Sequence, residues 1–200
     1  MRPPIVLAAA AALFAGPAVG QQATNAAAGN FRLTDATGKA VQLADYKGKT
    51  VVLEWNNPDC PFVKKHYAGN MQRTQAAARK DGVTWLTINS SGPGKQGHVT
   101  GAQARAYVAG AKAQPTAYLL DPEGRVGKGY AAKTTPHLYV IDGKGTLRYQ
   151  GGIDDKPTAD VADIAGARNH VLAALGELKA GKAVSVAETR PYGCSVKYAL

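Results

Sequence analysis

Cysteine is scarce in this chain: Cys60 and Cys194 are the only two among 200 residues. Any disulfide within one chain must therefore join that pair. Histidine is nearly as scarce, and His66, His98, His137 and His170 have no ligand spacing, so no metal is expected. Acidic residues number 14 against 24 lysines and arginines, for a net charge of +10. Such a balance can serve nucleic acid or an anionic surface. Here the lysines are scattered through Lys-Gly turns and helix faces, with no dense basic run carrying interleaved aromatics. A solvated surface is the better reading, and no nucleic-acid partner is expected. Past the N-terminus no apolar stretch is long enough to span a bilayer, so no stable membrane insertion is expected. There is no internal repeat and no linker that would split the chain. One domain with a proper core is expected.

The N-terminus is different. Arg2 precedes an uninterrupted apolar and small-residue stretch from Ile5 to Ala15, and Ala18-Val19-Gly20 supplies small residues at cleavage positions. This pattern reads as a signal peptide over residues 1–20, cut after Gly20. The alternative is an uncleaved N-terminal anchor. No cysteine directly follows the cut, so lipid attachment there is not expected. Export to an oxidising compartment, the periplasm in a bacterium with two membranes, lets a cysteine pair form a disulfide.

Residues 21–30 are mostly Ala, Gln, Asn and Gly and read as a flexible, disordered lead-in. Phe31-Arg32-Leu33 and Ala40-Val41-Gln42-Leu43 alternate around an Asp35 to Lys39 turn, as a β-hairpin does. Val51 to Trp55 is a strand of nearly continuous apolar character, as in a sheet covered on both faces. A helix from Pro61 to about Lys80 is expected next, then a strand from Val83 to Ile88. A long Gly/Ser loop follows, then a helix capped by Thr100. Strands at 117–120 and 137–142, a hairpin partner at 146–150, and a helix opened by Asp163 and ended by Gly181 complete the domain. Strands alternating with helices imply parallel pairing, and the closing hairpin adds an antiparallel edge. The fold class is thus α/β, a mixed sheet with helices on both faces. Residues 31–181 form the domain, and residues 182–200 form a C-terminal extension carrying Cys194.

Cys60 stands between the apolar strand and Pro61, which suits a first helical position. A thiolate there faces unpaired helix N–H groups and the positive end of the dipole, the setting of a reactive cysteine. The alternative is a buried structural thiol. Lys64, one turn on, can help hold a thiolate or belong with Lys65 to a solvated face. An inward Asp59 would oppose the thiolate.

Several segments together carry a family resemblance. They are Phe31-Arg32-Leu33 through Gly38-Lys39, Asp45-Tyr46-Lys47-Gly48-Lys49 leading into Val51-Val52-Leu53, Cys60-Pro61, and Thr134-Thr135-Pro136 before a strand. Over residues 31 to 180 the chain resembles the thioredoxin-fold redoxins of the alkyl-hydroperoxide-reductase/thiol-specific-antioxidant group. The resemblance implies a cis bond before Pro136, next to the reactive cysteine. It also implies that the Thr135 backbone faces a bound thiol or disulfide. Departures are specific. Val63 stands where a Cys-x-x-Cys motif has its second cysteine. Asn57 and Leu53 stand where peroxiredoxins carry a hydroxyl residue and a proline, though an asparagine amide can also hydrogen-bond a peroxide. Asn56 replaces the first cysteine of the copper-carrying relatives. Glu54, six before Cys60, matches a buried acid that moves protons in this family; a glutamate reaching solvent is the other reading. His137 either approaches Cys60 or makes a structural bond.

These residues point to a thiol-based oxidoreductase of peroxide or disulfide. Cys60 is its nucleophile, Cys194 the resolving cysteine and Glu54 a base. Asn57, Thr135 and Pro136 line the substrate. No cofactor is required, and electrons come from a partner thiol. The rival readings are a non-catalytic binding module and a permanent Cys60–Cys194 staple. A bridge between two chains of a homodimer satisfies the same chemistry.

Overall fold

The computed structural model describes residues 22–199. The expected signal peptide at 1–20 lies outside these. Nine short strands and five helices are arranged around one seven-stranded sheet and one two-stranded ribbon. The strands are β1 (Arg32–Asp35), β2 (Ala40–Gln42), β3 (Val51–Trp55), β4 (Thr84–Asn89), β5 (Ala117–Leu120), β6 (Thr134–Thr135), β7 (His137–Ile141), β8 (Leu147–Gly151) and β9 (Cys194–Ser195). The helices are α1 (Pro61–Tyr67), α2 (Asn70–Lys80), α3 (Gly101–Gly110), α4 (Arg125–Gly129) and α5 (His170–Lys179). Strand order is β2-β1-β5-β4-β3-β7-β8. The pairs β3/β4 and β4/β5 are parallel, and β3/β7 and β7/β8 antiparallel. The mixed α/β sheet expected from the strand–helix alternation is therefore present.

Side-chain alternation along β3 divides the core. Val51, Leu53 and Trp55 pack with Leu86, Ile88, Leu119, Tyr139 and Ile141 on one face. Val52 faces the other way, against Met71, Trp85, Val140, Val171 and Leu175, under α2 and α5. All five residues of β3 are buried, as its continuous apolar character requires.

Three local expectations change. The helix expected from Pro61 to Lys80 is two helices, because Gly69 adopts φ 122° between them, a value that breaks helical propagation. The final helix begins at His170, capped by Asn169 on Leu172 N–H (2.9 Å); Asp163 sits instead in a preceding 3-10 turn, Val161–Gly166. Residues 22–30, read as a disordered lead-in, lie along the sheet. Asn25 N–H donates to the Leu147 carbonyl at 2.7 Å and Ala28 N–H to that of Gly145 at 2.9 Å. Backbone bonds hold this segment, so its side-chain composition gives no sign of them.

The C-terminal extension crosses the same side of the molecule. Gln150 N–H donates to the Ala187 carbonyl (3.0 Å) and Thr189 N–H to that of Gln150 (3.1 Å). The ribbon β6/β9 then places Cys194 opposite Thr135. Val196 N–H donates to the Lys133 carbonyl and Gly92 N–H to that of Lys197. Among the described residues no helix is long and apolar enough to cross a membrane.

Candidate active site

Cys60 follows the C-terminal end of β3, on a loop that turns at Asn57 and enters α1. It is the N-cap residue of α1, with extended backbone (φ −71°, ψ 125°), and Pro61 is the first helical residue. The loop is fixed from below. Asn57 is buried; its Oδ1 accepts Asp59 N–H (2.9 Å) and its Nδ2 donates to the Gln96 carbonyl and side chain (3.3 and 3.2 Å). Asn89 Nδ2 donates to the carbonyls of Asn56 and Gly97. The long loop after β4 is thereby fastened to the cysteine loop. These contacts occupy the Asn57 amide.

The Cys60 side chain is fully shielded from solvent. Its Sγ donates to the Thr135 carbonyl at 3.1 Å, and the Thr135–Pro136 bond is cis. Cys194, in β9, is partly buried, and both thiols are free. Cys194 pairs opposite Thr135, whose carbonyl accepts the Cys60 thiol, so the two cysteines are neighbours, and their acidities diverge. Burial pushes the Cys60 thiol up. Polar contacts with the Cys194 side chain, the backbone of Val63 and Cys194 and the Thr135 side chain outweigh it, and the thiol ends below its ordinary value. Cys60 makes no side-chain capping bond to α1, so the helix end expected to face it acts through its dipole. The Thr135 carbonyl, a pure acceptor, favours the protonated form and works against the others. Burial, and then the Cys60 sulfur, push Cys194 up to about 11. The two neighbouring thiols thus shift in opposite directions, Cys60 down and Cys194 up.

Glu54 is not a strand-end residue reaching solvent. It is wholly buried on the α2 side. Its Oε1 accepts from Tyr67 Oη (2.7 Å) and Asn56 Nδ2 (3.2 Å). Its Oε2 accepts from Trp85 Nε1 (2.7 Å), Thr87 Oγ1 (3.0 Å) and Gln75 Nε2 (3.4 Å). Burial raises its pKa despite these donors. Asn56 also donates to Tyr107 Oη (3.3 Å) and accepts from Tyr118 Oη (3.0 Å), which carries the network toward the cysteine loop.

Other expectations resolve individually. Lys64 and Asp59 are exposed, whereas Lys65 is buried and donates to the Lys156 carbonyl at 2.8 Å. A solvated Lys64–Lys65 face is therefore half right. The structural alternative holds for His137: its Nδ1 accepts Lys133 N–H (3.3 Å) and lies 3.2 Å from Tyr139 Oη. Burial lowers its pKa to about 3.

Sequence reasoning missed a second polar cluster. Tyr192, two residues before Cys194, donates to Asp154 Oδ1 and lies 3.0 Å from His66 Nε2. His66 Nδ1 is 2.9 Å from Asn70 Nδ2. Burial first, then the neighbouring Lys65 charge, lower the His66 pKa to about 4, against the pull of Asp154. Nothing in the spacing of residues 66, 154 and 192 signals this. An open groove of about 620 Å³ runs beside it, lined by Thr134, Asp154, His170, Arg190, Tyr192 and Gly193 among others.

Comparison with known proteins agrees with this geometry. Two solved structures have TM-scores of 0.75. A hypothetical protein of Sinorhizobium meliloti 1021 is 24% identical, over 90% of this chain and 97% of its own. An uncharacterized conserved protein of Geobacillus kaustophilus is 26% identical, over 88% of this chain and 93% of its own. A secreted Mycobacterium tuberculosis disulfide oxidoreductase is 21% identical with a TM-score of 0.52, over 68% of this chain and 92% of its own. The similarity to that enzyme shows the thioredoxin-like fold. No curated protein matches the chain. The AhpC/TSA family model matches residues 19–150, well over half of the sequence, and the chain belongs to the AhpC/TSA family.

Proposed function

We propose that this protein is an exported thiol-based oxidoreductase in which Cys60 attacks and Cys194 resolves. The observation that carries the reading is the juxtaposition of the two thiols with opposite shifts in acidity. With a disulfide substrate, the Cys60 thiolate bonds one sulfur, and the other leaves as a thiolate that takes up a proton. Cys194 then attacks the Cys60 sulfur, gives up its proton and frees the second substrate thiol. The substrate gains two electrons, and the protein holds a Cys60–Cys194 disulfide. An external thiol restores the dithiol by the reverse exchange. Disulfide exchange is favoured over peroxide reduction because the Asn57 amide, the group available to orient a peroxide, is engaged by Gln96 and Asp59.

Membership of the AhpC/TSA family supports peroxide reduction as the second reading. There Cys60 becomes a sulfenic acid, and condensation with Cys194 releases water and gives the same disulfide. Thr135 and Pro136 form the wall beside the Cys60 sulfur, against which the sulfur of a disulfide substrate lies. Glu54 acts behind them, as the buried carboxyl that accepts from Tyr67 and that Asn56 connects to Tyr107. Cys194 comes from the same chain, so resolution needs no second copy. Export rests on the N-terminal sequence, and the secreted mycobacterial neighbour is in keeping with it.

The test is a side-by-side assay of disulfide reduction and peroxide consumption, with mass spectrometry of the oxidised, non-reduced protein. A linked Cys60–Cys194 peptide pair from monomeric protein, reversed by dithiothreitol, is expected. Cys60→Ser should abolish the first step, while Cys194→Ser should stop at a mixed disulfide or sulfenic acid. A bond that resists reduction and never cycles would identify a staple instead.

A further inference from the structure

We propose that Tyr192 is a positioning residue. By bonding to His66 and Asp154 it holds the Gly193-Cys194 strand over Cys60, setting both the reach of Cys194 and the access of outside reagents to Cys60. The inference rests on the reading of Cys60 and Cys194 as a working dithiol.

The two cysteines lie on elements far apart in the chain, and the ribbon that aligns them has only two residue pairs, Thr134 with Ser195 and Thr135 with Cys194. So short a ribbon is a weak clamp by itself. The stronger attachment lies two residues upstream. Asn70 donates to His66 Nδ1, so Nε2 carries the imidazole proton and donates to the Tyr192 oxygen. The phenol in turn donates to Asp154 Oδ1. Tyr192 itself is half-buried, but His66 and Asp154 are buried, a setting that strengthens a hydrogen bond to the carboxylate. The Tyr192 ring packs edge-on against Phe62 (centroids 5.9 Å apart), and Lys65 Nζ stands 5.6 Å from its centroid. Phe62, Lys65 and His66 all belong to α1, the helix that Cys60 caps. Tyr192 therefore bolts the segment carrying Cys194 directly to the helix carrying Cys60. Cys60 is fully buried, and Cys194 pairs opposite Thr135, whose carbonyl accepts the Cys60 thiol, so this segment is part of what surrounds Cys60.

Tyr192→Phe keeps the ring and removes both bonds. Two readouts follow the bolt rather than general stability. One is the rate of Cys60 alkylation by iodoacetamide in the reduced protein at fixed pH. The other is the equilibrium constant of the Cys60–Cys194 disulfide against glutathione, which measures the effective concentration of one thiol at the other. Alkylation is expected to quicken, and the equilibrium to shift toward the dithiol, each by about tenfold for loss of a buried charge-assisted hydrogen bond. Unfolding of the reduced protein in urea should show that the variant remains folded. Asp154→Asn, which keeps the side chain's shape but removes the charge, should move both readouts the same way and serves if the Phe variant does not fold. Wild-type alkylation and wild-type equilibrium in the folded variants would overturn the proposal, with the dithiol reading left intact. If the wild-type protein forms no Cys60–Cys194 disulfide, the dithiol reading fails, and the role of Tyr192 in positioning Cys194 fails with it. Alkylation would then report only on a cover.

Discussion

Glu54 collects five side-chain donors in the middle of the sheet. A buried carboxylate is costly unless its lone pairs are filled, and here the donors come from α1, α2, β4 and the loop after β3. Removing the acceptor strands the donors. Glu54→Leu is therefore expected to destabilise the protein by about 3–5 kcal/mol in urea unfolding, and Glu54→Gln by less, because the amide oxygen still accepts. If the Leu variant lost under about 1 kcal/mol, the network would not hold the core. Cys60 and Cys194 work by the opposite principle, since their bonds leave one sulfur rich in donors and the other in want of its proton. In the proposed function the attacking thiol is assigned on that asymmetry and not on exposure, for Cys60 is the more buried of the two.

At the scale of elements, the tail segment before β9 is shaped by Gly193. Its φ of 136° suits glycine alone, and a Cβ there would stand 2.0 Å from the Thr135 carbonyl oxygen, the same atom that accepts the Cys60 thiol. Gly193→Ala should force β9 off β6. Expected outcomes are faster alkylation of Cys60 and a loss of disulfide formation on oxidation, with little change in far-UV circular dichroism because the seven-stranded sheet does not include β9. An alanine variant that still forms the Cys60–Cys194 bond at the wild-type rate would show that the ribbon is dispensable. The division of the expected long helix into α1 and α2 also matters here. It ends α1 at Tyr67, whose hydroxyl reaches Glu54, and starts α2 at Asn70, whose amide orients His66.

Across the whole molecule, two buried imidazoles link stability to pH. Burial, the leading cause in both, holds His66 at about 4 and His137 at about 3, below the ordinary value near 6.5. As pH falls through about 6.5 the unfolded chain takes up protons that the folded chain does not. The contribution of each histidine is whole above that pH and is lost as pH falls toward its folded value, at up to about 1.4 kcal/mol per pH unit. Glu54 and Asp121, both raised by burial, act in the opposite direction, since their folded forms are protonated first on acidification. The histidine part is separable. Neither ring should titrate between pH 5 and 8 in nuclear magnetic resonance spectra of the folded protein. His137→Gln should also flatten the slope of unfolding free energy between pH 6 and 5 by about 1 kcal/mol per pH unit. Titration of either ring near pH 6.5 would contradict the burial argument.

The sequence by itself determined the strand–helix order, the fully buried β3, the Thr100 cap, the placement of Cys60 at a helix start behind Pro61, and the absence of a local resolving cysteine at Val63. Each depends on neighbours a few residues apart: hydrophobic period, capping chemistry, turn residues. Only the tertiary structure decided that Glu54 is buried under donors from three elements and the loop after β3, that Asn57 is occupied by a loop 39 residues away, and that Tyr192 meets His66 across 126 residues. It also decided that Cys194 pairs opposite Thr135, in a ribbon too short to leave an alternating pattern. Such contacts are made by backbone groups and single polar side chains brought together by the packing of the sheet. They carry no period along the chain, so no pattern of residues announces them.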